Sequence, residues 1–170
     1  FEAVYRDVNI ALANELAILS EKLGIDYIEA MRAANTQPYS HLHVPGAGVG
    51  GHCLPVYPYL LASSASEHGV SLKLVMESRH LNEDMPRHVA RLCADALRAS
   101  GRSLRRARVC ILGVAFRANV KEARLSPSLE LARILSRRGA ILKAYDPFFS
   151  RAELSKMGLS SEPTLLQTIS

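Results

Sequence analysis

Residues 107–147, ARVCILGVAFRANVKEARLSPSLELARILSRRGAILKAYDP, decide the fold of the second half of the chain. The run Ala107–Gly113 is short, apolar and rich in branched residues, which is typical of a buried strand. Ser126-Pro127 marks a helix entry with proline in the first turn, and that helix is expected to end at Gly139. A second strand, Ala140–Tyr145, follows. This order predicts a β-α-β unit that starts a parallel sheet with a right-handed crossover.

Upstream of this unit the sequence indicates helices. Apolar residues at three- and four-residue spacing predict an amphipathic helix over residues 1–23, ended by Gly24. Asp26 is placed to cap a second helix, with Glu29 three residues on as in a capping box, and that helix ends near Asn35. The apolar residues of the first helix are Val4, Val8, Ala11, Leu12, Leu16, Leu19 and Leu23.

Two further helices are predicted, over residues 58–67 and 71–100. Pro86 lies inside the second and predicts either a bend or two abutting helices, because proline removes a backbone hydrogen bond. The fold class is therefore mixed. An all-helical domain over residues 1–101 precedes the start of an α/β Rossmann-like parallel-sheet domain over residues 102–170.

The composition narrows the class of protein. It is 48% hydrophobic and 22% charged, as in globular domains, and no apolar run approaches the ~20 residues of a membrane helix. Three cysteines, an odd number, suggest free thiols in a reducing compartment, so the cytoplasm is expected. The chain has no initiator Met and no helix-start signal at Phe1, which suggests a piece cut from a longer protein.

The net charge of +5 includes two clusters of arginines, at residues 98–108 and 133–138. A solvated surface explains them most simply, and an anion site is the alternative. Nucleic-acid binding is disfavoured because no aromatic residue occurs between Tyr59 and Phe116.

The loop at residues 41–60, HLHVPGAGVGGHCLPVYPYL, contains the most reactive side chain, Cys53. Its glycines formally match the dinucleotide pattern GxGxxG, but neither a strand before it nor a helical run after it supports that use. Its histidines fit no trusted zinc spacing, so no metal site is predicted.

A helix N-terminus and the neighbouring His52 both favour the thiolate of Cys53, which makes it a candidate nucleophile against the alternative of a packed cysteine. Cys93 and Cys110 are most simply core residues.

Arg117 and Arg124 occupy the loop between the first strand and the following helix, where open α/β sheets bind anions. Their guanidinium groups suit phosphate, and solvent-exposed loop charge is the alternative.

Taken together, three segments resemble the UDP-glucose/GDP-mannose dehydrogenase family. YRDVNIALANELAILSEKLGID is similar to the family's dimerisation helix, PGAGVGGHCLPVYPYLL to its catalytic-cysteine loop, and GVAFRANVKEARLSPSLELARIL followed by AYDP to the start of its C-terminal sugar-nucleotide-binding domain. The resemblance covers nearly the whole chain, and its three motifs occur in the family order.

The resemblance implies a four-electron oxidation of a nucleotide-sugar alcohol to a uronic acid with two NAD. Cys53 would attack the aldehyde formed by the first hydride transfer, and a thioester would be hydrolysed after the second. Arg117 stands where the family usually has a substrate-facing lysine, and Arg124 matches an arginine that reaches toward the cofactor. The groups implied to line the sugar nucleotide are Leu42, His43, Gly50 and Gly51.

The resemblance further implies a homodimer through the helix at residues 1–23 and an N-terminal NAD-binding domain that is not in this chain. Tyr57 replaces a family aspartate, Ala3 replaces a family asparagine, and Lys121 with Glu122 replaces an acidic pair. The chain alone is expected to be inactive, and a non-catalytic dimerisation or sugar-nucleotide-binding module stays open. The sugar is not specified.

Overall fold

A computed structural model describes residues 1–169 of the chain. Their elements, in chain order, are α1 (Glu2–Leu23), α2 (Tyr27–Ala34), α3 (Tyr57–Glu67), α4 (Lys73–Ala99), β1 (Arg108–Leu112), α5 (Pro127–Arg137), β2 (Ile141–Tyr145), α6 (Arg151–Lys156) and α7 (Leu165–Ile169). The chain divides into two compact units between Met85 and Pro86, inside α4. The predicted domain boundary at residues 101 and 102 stays a prediction.

The first unit is helical, as predicted. Gly24 ends α1 in the left-handed conformation with φ 69°, which glycine adopts without strain. Asp26 caps α2, since its carboxylate accepts hydrogen bonds from the backbone N–H groups of Ile28 and Glu29. A small apolar cluster of Ala13, Tyr27 and Met31 joins the two helices.

The buried face of α1 differs from the predicted apolar stripe. Leu12, Leu19 and Leu23 are exposed, whereas Asp7 and Asn14 are fully buried. A 22-residue helix carries more than one apolar stripe, and periodicity alone does not say which of them packs within the chain. Small residues, Ala3, Ala11 and Ala13, share the buried face with the two polar ones.

The helix predicted to be interrupted at Pro86 is a single element, α4, with the proline inside it. The alternative of two abutting helices is therefore wrong. Pro86 itself is buried, and α4 supplies residues to both units.

The second unit contains the predicted β-α-β arrangement. The strands β1 and β2 pair in parallel, with Arg108 opposite Ile141 and Leu112 opposite Tyr145. Ser126 caps α5 through its side chain, with Pro127 in the first turn. The core lies between sheet and helices and comprises Ile111, Val114, Ala123, Ala132, Ala144, Leu154 and Leu159.

The last part of the described chain contains two short helices, α6 and α7. Ser150 and Glu153 form a reciprocal capping box at the start of α6. The segment after α6 lies beside β2: the N–H of Ala144 donates to the carbonyl of Ser160 at 2.7 Å, and Nζ of Lys143 donates to the carbonyl of Gln167 at 3.4 Å. Within residues 1–169 the sheet has two strands.

Candidate active site

The first half of the cysteine loop is tied to α1 and α2 by side-chain hydrogen bonds. Asn35 makes a reciprocal pair with Leu42, donating to its carbonyl at 2.9 Å and accepting from its N–H at 2.7 Å. The hydroxyl of Tyr27 donates to the carbonyl of His43 at 2.9 Å. Leu42 also packs against the apolar cluster of the first unit. These contacts fix the backbone of the two predicted substrate residues.

Burial and the neighbouring His41 and Arg6 lower the pKa of His43. The rings of His41 and His43 meet edge to face, with their centroids 5.3 Å apart. A lowered pKa means that the half-buried His43 imidazole is more often neutral, so one of its ring nitrogens can accept a hydrogen bond.

The glycine-rich centre of the loop uses conformations that favour glycine. Gly48 has φ 128° and Gly51 φ 95°, both in the left-handed half of the map. The N–H of Gly46 donates to Oδ1 of the buried Asn14 at 2.9 Å, so this part of the loop is anchored to α1. Gly50 is half-buried and Gly51 is buried.

Cys53 is exposed and lies in the turn that leads into α3. Its carbonyl accepts the N–H of Val56 at 3.1 Å and that of Tyr57 at 2.8 Å, which is a helical hydrogen-bonding pattern. Cys53 thus precedes the N-terminus of an 11-residue helix, where partial positive charge favours an anion. The predicted position of the thiol at a helix start agrees with this arrangement.

Two side chains from different helices act on the thiol. Interaction with the Cys53 side chain is the main cause that raises the pKa of the Tyr57 hydroxyl. Arg6 on α1 interacts electrostatically with Cys53. The pKa of Arg6 is raised mainly by its hydrogen bond with Glu2. Tyr57, which stands in place of an aspartate of the resembled family, therefore interacts with the candidate nucleophile.

A buried polar network supports the far side of the loop. Arg79 on α4 donates to Asp7 at 2.5 Å and reaches the carbonyl of Leu54, next to Cys53, at 3.3 Å. Asn82 donates to both the carboxylate and the backbone carbonyl of Asp7 at 2.9 Å. Asn14 in turn donates to Asn82 at 2.9 Å. The same network therefore holds the loop at Gly46, through Asn14, and at Leu54.

This network is strongly desolvated. Burial raises the pKa of Asp7, and Arg79 and Asn82 only partly oppose it. Oδ2 of Asp7 and Nε of Arg79 have no hydrogen-bond partner within the described residues, although Nε lies 3.5 Å from Glu83. Sequence reasoning missed these residues. The signal was present, because Asp7 and Asn14 interrupt the apolar pattern of α1 two helical turns apart.

Arg117 and Arg124 lie in the second unit, in the loop between β1 and α5, and both side chains are exposed. The loop folds back on itself, since the N–H of Phe116 donates to the carbonyl of Glu122 at 3.0 Å. Asn119 and Leu125 take positive φ, 60° and 49°, which is unusual for residues with a side chain. The structure leaves both guanidinium groups open to solvent.

Asp146 organises the carboxyl end of the two strands. Its Oδ2 accepts the N–H groups of Val114 at 2.7 Å and Ala115 at 3.1 Å, and Oδ1 accepts that of Phe148 at 2.9 Å. Burial alone would raise the pKa of Asp146, but these three donors outweigh it and lower the pKa. Asp146 therefore fixes the turn that follows β1.

The other two cysteines differ from the sequence prediction. Cys93 and Cys110 are half-buried rather than core residues, and burial raises the pKa of the Cys110 thiol. Within residues 1–169 no three His, Cys, Asp or Glu side chains converge as metal ligands would. The helices of that same part of the chain include none with the length and apolarity to cross a membrane.

Comparison with protein families gives two matches in the order of the two units. Residues 1–84 match the central domain of the UDP-glucose/GDP-mannose dehydrogenase family. Residues 110–169 match the UDP binding domain of the same family.

Curated relatives are longer than this chain. UDP-N-acetyl-D-mannosamine dehydrogenase of Pyrococcus horikoshii is 41% identical over 147 residues, which cover 86% of this chain and 34% of the relative. NDP-N-acetyl-D-galactosaminuronic acid dehydrogenase of Ralstonia solanacearum is 32% identical over 169 residues, 96% of this chain and 38% of that protein. A solved structure of the Pyrococcus horikoshii UDP-D-ManNAc dehydrogenase superposes with TM-score 0.88 at 36% identity, covering 99% of this chain and 37% of the other. The chain thus spans about a third of the length of these relatives.

Proposed function

The chain belongs to the UDP-glucose/GDP-mannose dehydrogenase family, and we propose that it is the part of an NAD-dependent nucleotide-sugar 6-dehydrogenase that supplies the catalytic cysteine. The observation that carries the proposal is the position of Cys53. Its side chain is exposed before α3, beside the hydroxyl of Tyr57 and the charge of Arg6, in a loop anchored on both sides. A surface cysteine without a function needs no such support.

In the proposed reaction the Cys53 thiolate adds to the carbonyl carbon of a sugar aldehyde. A carbon–sulfur bond forms, the carbonyl electron pair moves to oxygen, and that oxygen takes up a proton to give a thiohemiacetal. Cys53 lies before the N-terminus of α3 and interacts electrostatically with Arg6. Tyr57 interacts with the Cys53 side chain and is proposed to orient its sulfur.

We propose that the sugar nucleotide lies along the anchored loop. The backbone groups of Leu42, His43, Gly50 and Gly51 would contact it, because a glycine backbone allows a ligand to approach closely. Arg117, in the second unit, is separately proposed to bind phosphate. The names of the relatives favour a UDP-linked N-acetylhexosamine as the substrate class.

NAD is the proposed hydride acceptor of the whole enzyme, and the described residues do not form its binding site. Gly46, Gly48 and Gly51 lie in an irregular loop with no preceding strand, and β1 is followed by a long loop instead of a tight turn into a helix. Arg124, exposed in that loop, fits a phosphate of the cofactor and is the one contribution proposed for this chain. The oxidation steps therefore belong to the whole enzyme, which we place in the cytoplasm and in polysaccharide biosynthesis.

The test uses the full-length protein with a UDP-N-acetylhexosamine and NAD, and counts NADH formed per sugar. Two NADH per sugar are expected, and Cys53→Ser should lower the rate by about a thousandfold or more, because an alcohol is a far weaker nucleophile than a thiolate. Cys93→Ser is the matched control and should leave the rate within about twofold. Full activity of Cys53→Ser would overturn the covalent step.

The second candidate is a non-catalytic dimerisation module, and one observation favours the dimer itself. Tyr5, Leu12 and Leu19 are exposed on α1 and are spaced by seven residues, so they form one apolar stripe. A 530 Å³ groove beside the stripe is lined by Val8, Leu12, Leu74 and Leu81, among others. We propose that α1 pairs with α1 of a second copy along this stripe.

Sedimentation of the chain as given distinguishes the two cases. A dimer that Leu12→Glu with Leu19→Glu converts to a monomer supports pairing through α1. The control is Arg32→Glu, which makes the same change of charge at an exposed position on α2. A monomer at all concentrations would contradict pairing through α1. If the full-length protein dimerises but produces no NADH with any UDP-sugar, the non-catalytic alternative holds.

A further inference from the structure

The charge of the chain is divided unevenly between its two units. Residues 1–85 contain five Arg and Lys against ten Asp and Glu, a formal charge of −5. Residues 86–170 contain sixteen Arg and Lys against six Asp and Glu, a formal charge of +10. The modest net charge of +5 therefore conceals a strongly basic second unit, which attracts anions.

The basic residues of that unit concentrate at one end of its sheet. Parallel strands begin at the same edge, and arginines precede both β1 and β2. We call this edge the arginine edge. It comprises Arg102, Arg105, Arg106, Arg108, Arg137 and Arg138.

Backbone contacts bring the two arginine segments together. The N–H of Arg106 donates to the carbonyl of Gly139 at 2.7 Å, and the N–H of Ile141 donates to that of Ala107 at 2.8 Å. A Cβ built on Gly139 would lie 3.2 Å from Cγ of Arg105, so the stem of Arg105 packs on the segment before β2. Both runs of arginine thus lie on one surface.

The arginine edge has no compensating carboxylates. All six side chains are exposed, and within residues 1–169 none of the six guanidinium groups forms an ion pair. The sequence contains no Asp or Glu between Asp95 and Glu122, and none between Glu130 and Asp146. By contrast Lys143, within β2, is paired with Glu162 at 3.4 Å.

Helix dipoles explain only part of this charge. Arg137 lies in the last turn of α5 and Arg138 caps it, where cations complement the negative end of a helix. Arg105, Arg106 and Arg108 lie between α4 and β1 and on the strand itself, beyond any helix end. Their mutual repulsion is unfavourable in the free chain, and a bound anion would relieve it.

We propose that the arginine edge binds a chain of phosphate groups, either free or as the polyphosphate of a nucleotide. Arginine binds phosphate oxygens with paired donors, and the edge contains arginine alone, without lysine. Six guanidinium groups on two segments are more than one phosphate can engage. The site lies at the opposite edge of the sheet from Arg117 and Arg124, so it does not depend on the function proposed above.

The surroundings of the edge favour phosphate recognition over base recognition. The four aromatic residues of the second unit, Phe116, Tyr145, Phe148 and Phe149, all lie at or after the carboxyl ends of the strands. A base bound at the arginine edge would find no ring on which to stack. Inorganic tripolyphosphate and adenosine triphosphate should therefore bind with similar affinity.

The experiment is calorimetric titration of the chain with sodium tripolyphosphate at low salt. We expect saturable binding that weakens by about tenfold or more when the salt rises from about 50 to about 200 mM, because screening shortens the reach of exposed charges. Adenosine triphosphate should bind within about threefold of tripolyphosphate, since nothing at the edge recognises the base. Orthophosphate should bind much more weakly than either.

The variant for this test carries Arg105→Gln, Arg108→Gln and Arg138→Gln, which remove charge from both segments. It should lose about tenfold or more in affinity for tripolyphosphate, as expected for the loss of three charge-assisted contacts. The matched control removes the same charge elsewhere, by Arg32→Gln, Lys73→Gln and Lys156→Gln, and should bind within about twofold of the original chain.

Circular dichroism checks that each triple variant is folded. If the first is not, Arg105→Gln and Arg138→Gln are measured singly, and each should weaken binding by about threefold. Absence of saturable binding at low salt, or an equal loss in the control triple, would overturn the proposal. It would also be overturned if duplex DNA or vesicles of anionic lipid bound the edge while tripolyphosphate did not.

Discussion

Arg79 and Asp7 form a buried ion pair, with Nη1 of Arg79 2.5 Å from Oδ1 of Asp7 and both side chains 1% exposed. The pair joins α4 to α1, and the same nitrogen reaches the carbonyl of Leu54 beside Cys53. A buried pair is weak evidence of net stability, but removal of one partner leaves the other charge without compensation. Loss of either partner should therefore destabilise the fold and loosen the loop that contains Cys53.

Arg79→Met should lower the free energy of unfolding by about 3–5 kcal/mol, because it leaves the Asp7 carboxylate buried and unpaired. Denaturant unfolding followed by circular dichroism measures the change. Arg98→Met is the matched control. Its ion pair with Asp95 is exposed, so a loss of less than about 1 kcal/mol is expected. Equal losses in the two variants would show that the buried pair has no special role.

Asn14→Ala tests the anchor of the glycine loop. It removes the acceptor of the Gly46 N–H and the donor to Asn82, and unpaired buried polar groups destabilise by about 1–3 kcal/mol each. Hydrogen exchange of the Gly46 amide should become faster by about tenfold or more, because this N–H then lacks the hydrogen bond that holds it to α1. Asn9→Ala, which loses only a bond to the carbonyl of Tyr5, is the control and should leave Gly46 unchanged.

The sequence was sufficient for the elements up to β2, but not for α6 and α7 and not for the buried polar network. Periodicity and turn residues located α1, α2, α3 and the β-α-β unit, since these depend on neighbours along the chain. Asp7 and Arg79 are 72 positions apart, and nothing local indicates that they meet. Their burial could be suspected for Asp7 alone, from its place in an apolar helix face.

Two other differences have local reasons. Leu12 and Leu19 belong to the predicted apolar stripe of α1 and are exposed, because a different face of the helix, with Ala11 and Asn14, is the buried one. The start of α6 was readable in advance from Ser150 and Glu153, which have the spacing of a capping box. The interaction of Tyr57 with Cys53 could not be read from the sequence, which shows only the substitution.

Cys53→Ala should lower the pKa of Tyr57 toward its ordinary value. The hydrogen bond with Cys53 is the largest cause that raises this pKa, and alanine offers no acceptor. The tyrosinate absorbance between pH 9 and 13 gives the measurement, with Tyr57→Phe used to assign the signal. Tyr59 is the internal control, because burial and Glu83, not Cys53, raise its pKa. An unchanged Tyr57 titration would mean that its hydroxyl does not contact the thiol.

Asp146 should contribute stability that disappears in acid. Its pKa in the fold is lowered from the ordinary value of 3.8, so the unfolded chain binds the proton more readily than the folded one. The contribution is fully present above pH 3.8 and is lost as the pH falls through the lower folded value.

Asp146→Asn should therefore destabilise the chain by about 1–3 kcal/mol at pH 7 and flatten the loss of stability below pH 4. Unfolding curves in urea at a series of pH values measure both effects. Asp95→Asn, on an exposed helix face, is the control and should leave the fall in unfolding free energy below pH 4 unchanged. The assignment would be contradicted if both variants had the same acid limb as the original chain.

Gly51→Ala tests whether the backbone beside Cys53 needs glycine. Gly51 is buried with φ 95°, and an L side chain in the left-handed half of the map is unfavourable by about 1–2 kcal/mol. Gly46→Ala is the matched control in the same loop. It has no positive φ, and an added Cβ would meet only the carbonyl oxygen of Gly48, at 4.0 Å.

Two measurements separate strain from a wider loss of structure. The free energy of unfolding should fall for Gly51→Ala and stay within about 0.5 kcal/mol for Gly46→Ala. Alkylation of Cys53 by iodoacetamide, followed by mass spectrometry, should change its rate in Gly51→Ala because the thiol is presented by that turn. If both variants alkylate at the original rate, the φ of Gly51 matters for stability and not for the presentation of the thiol.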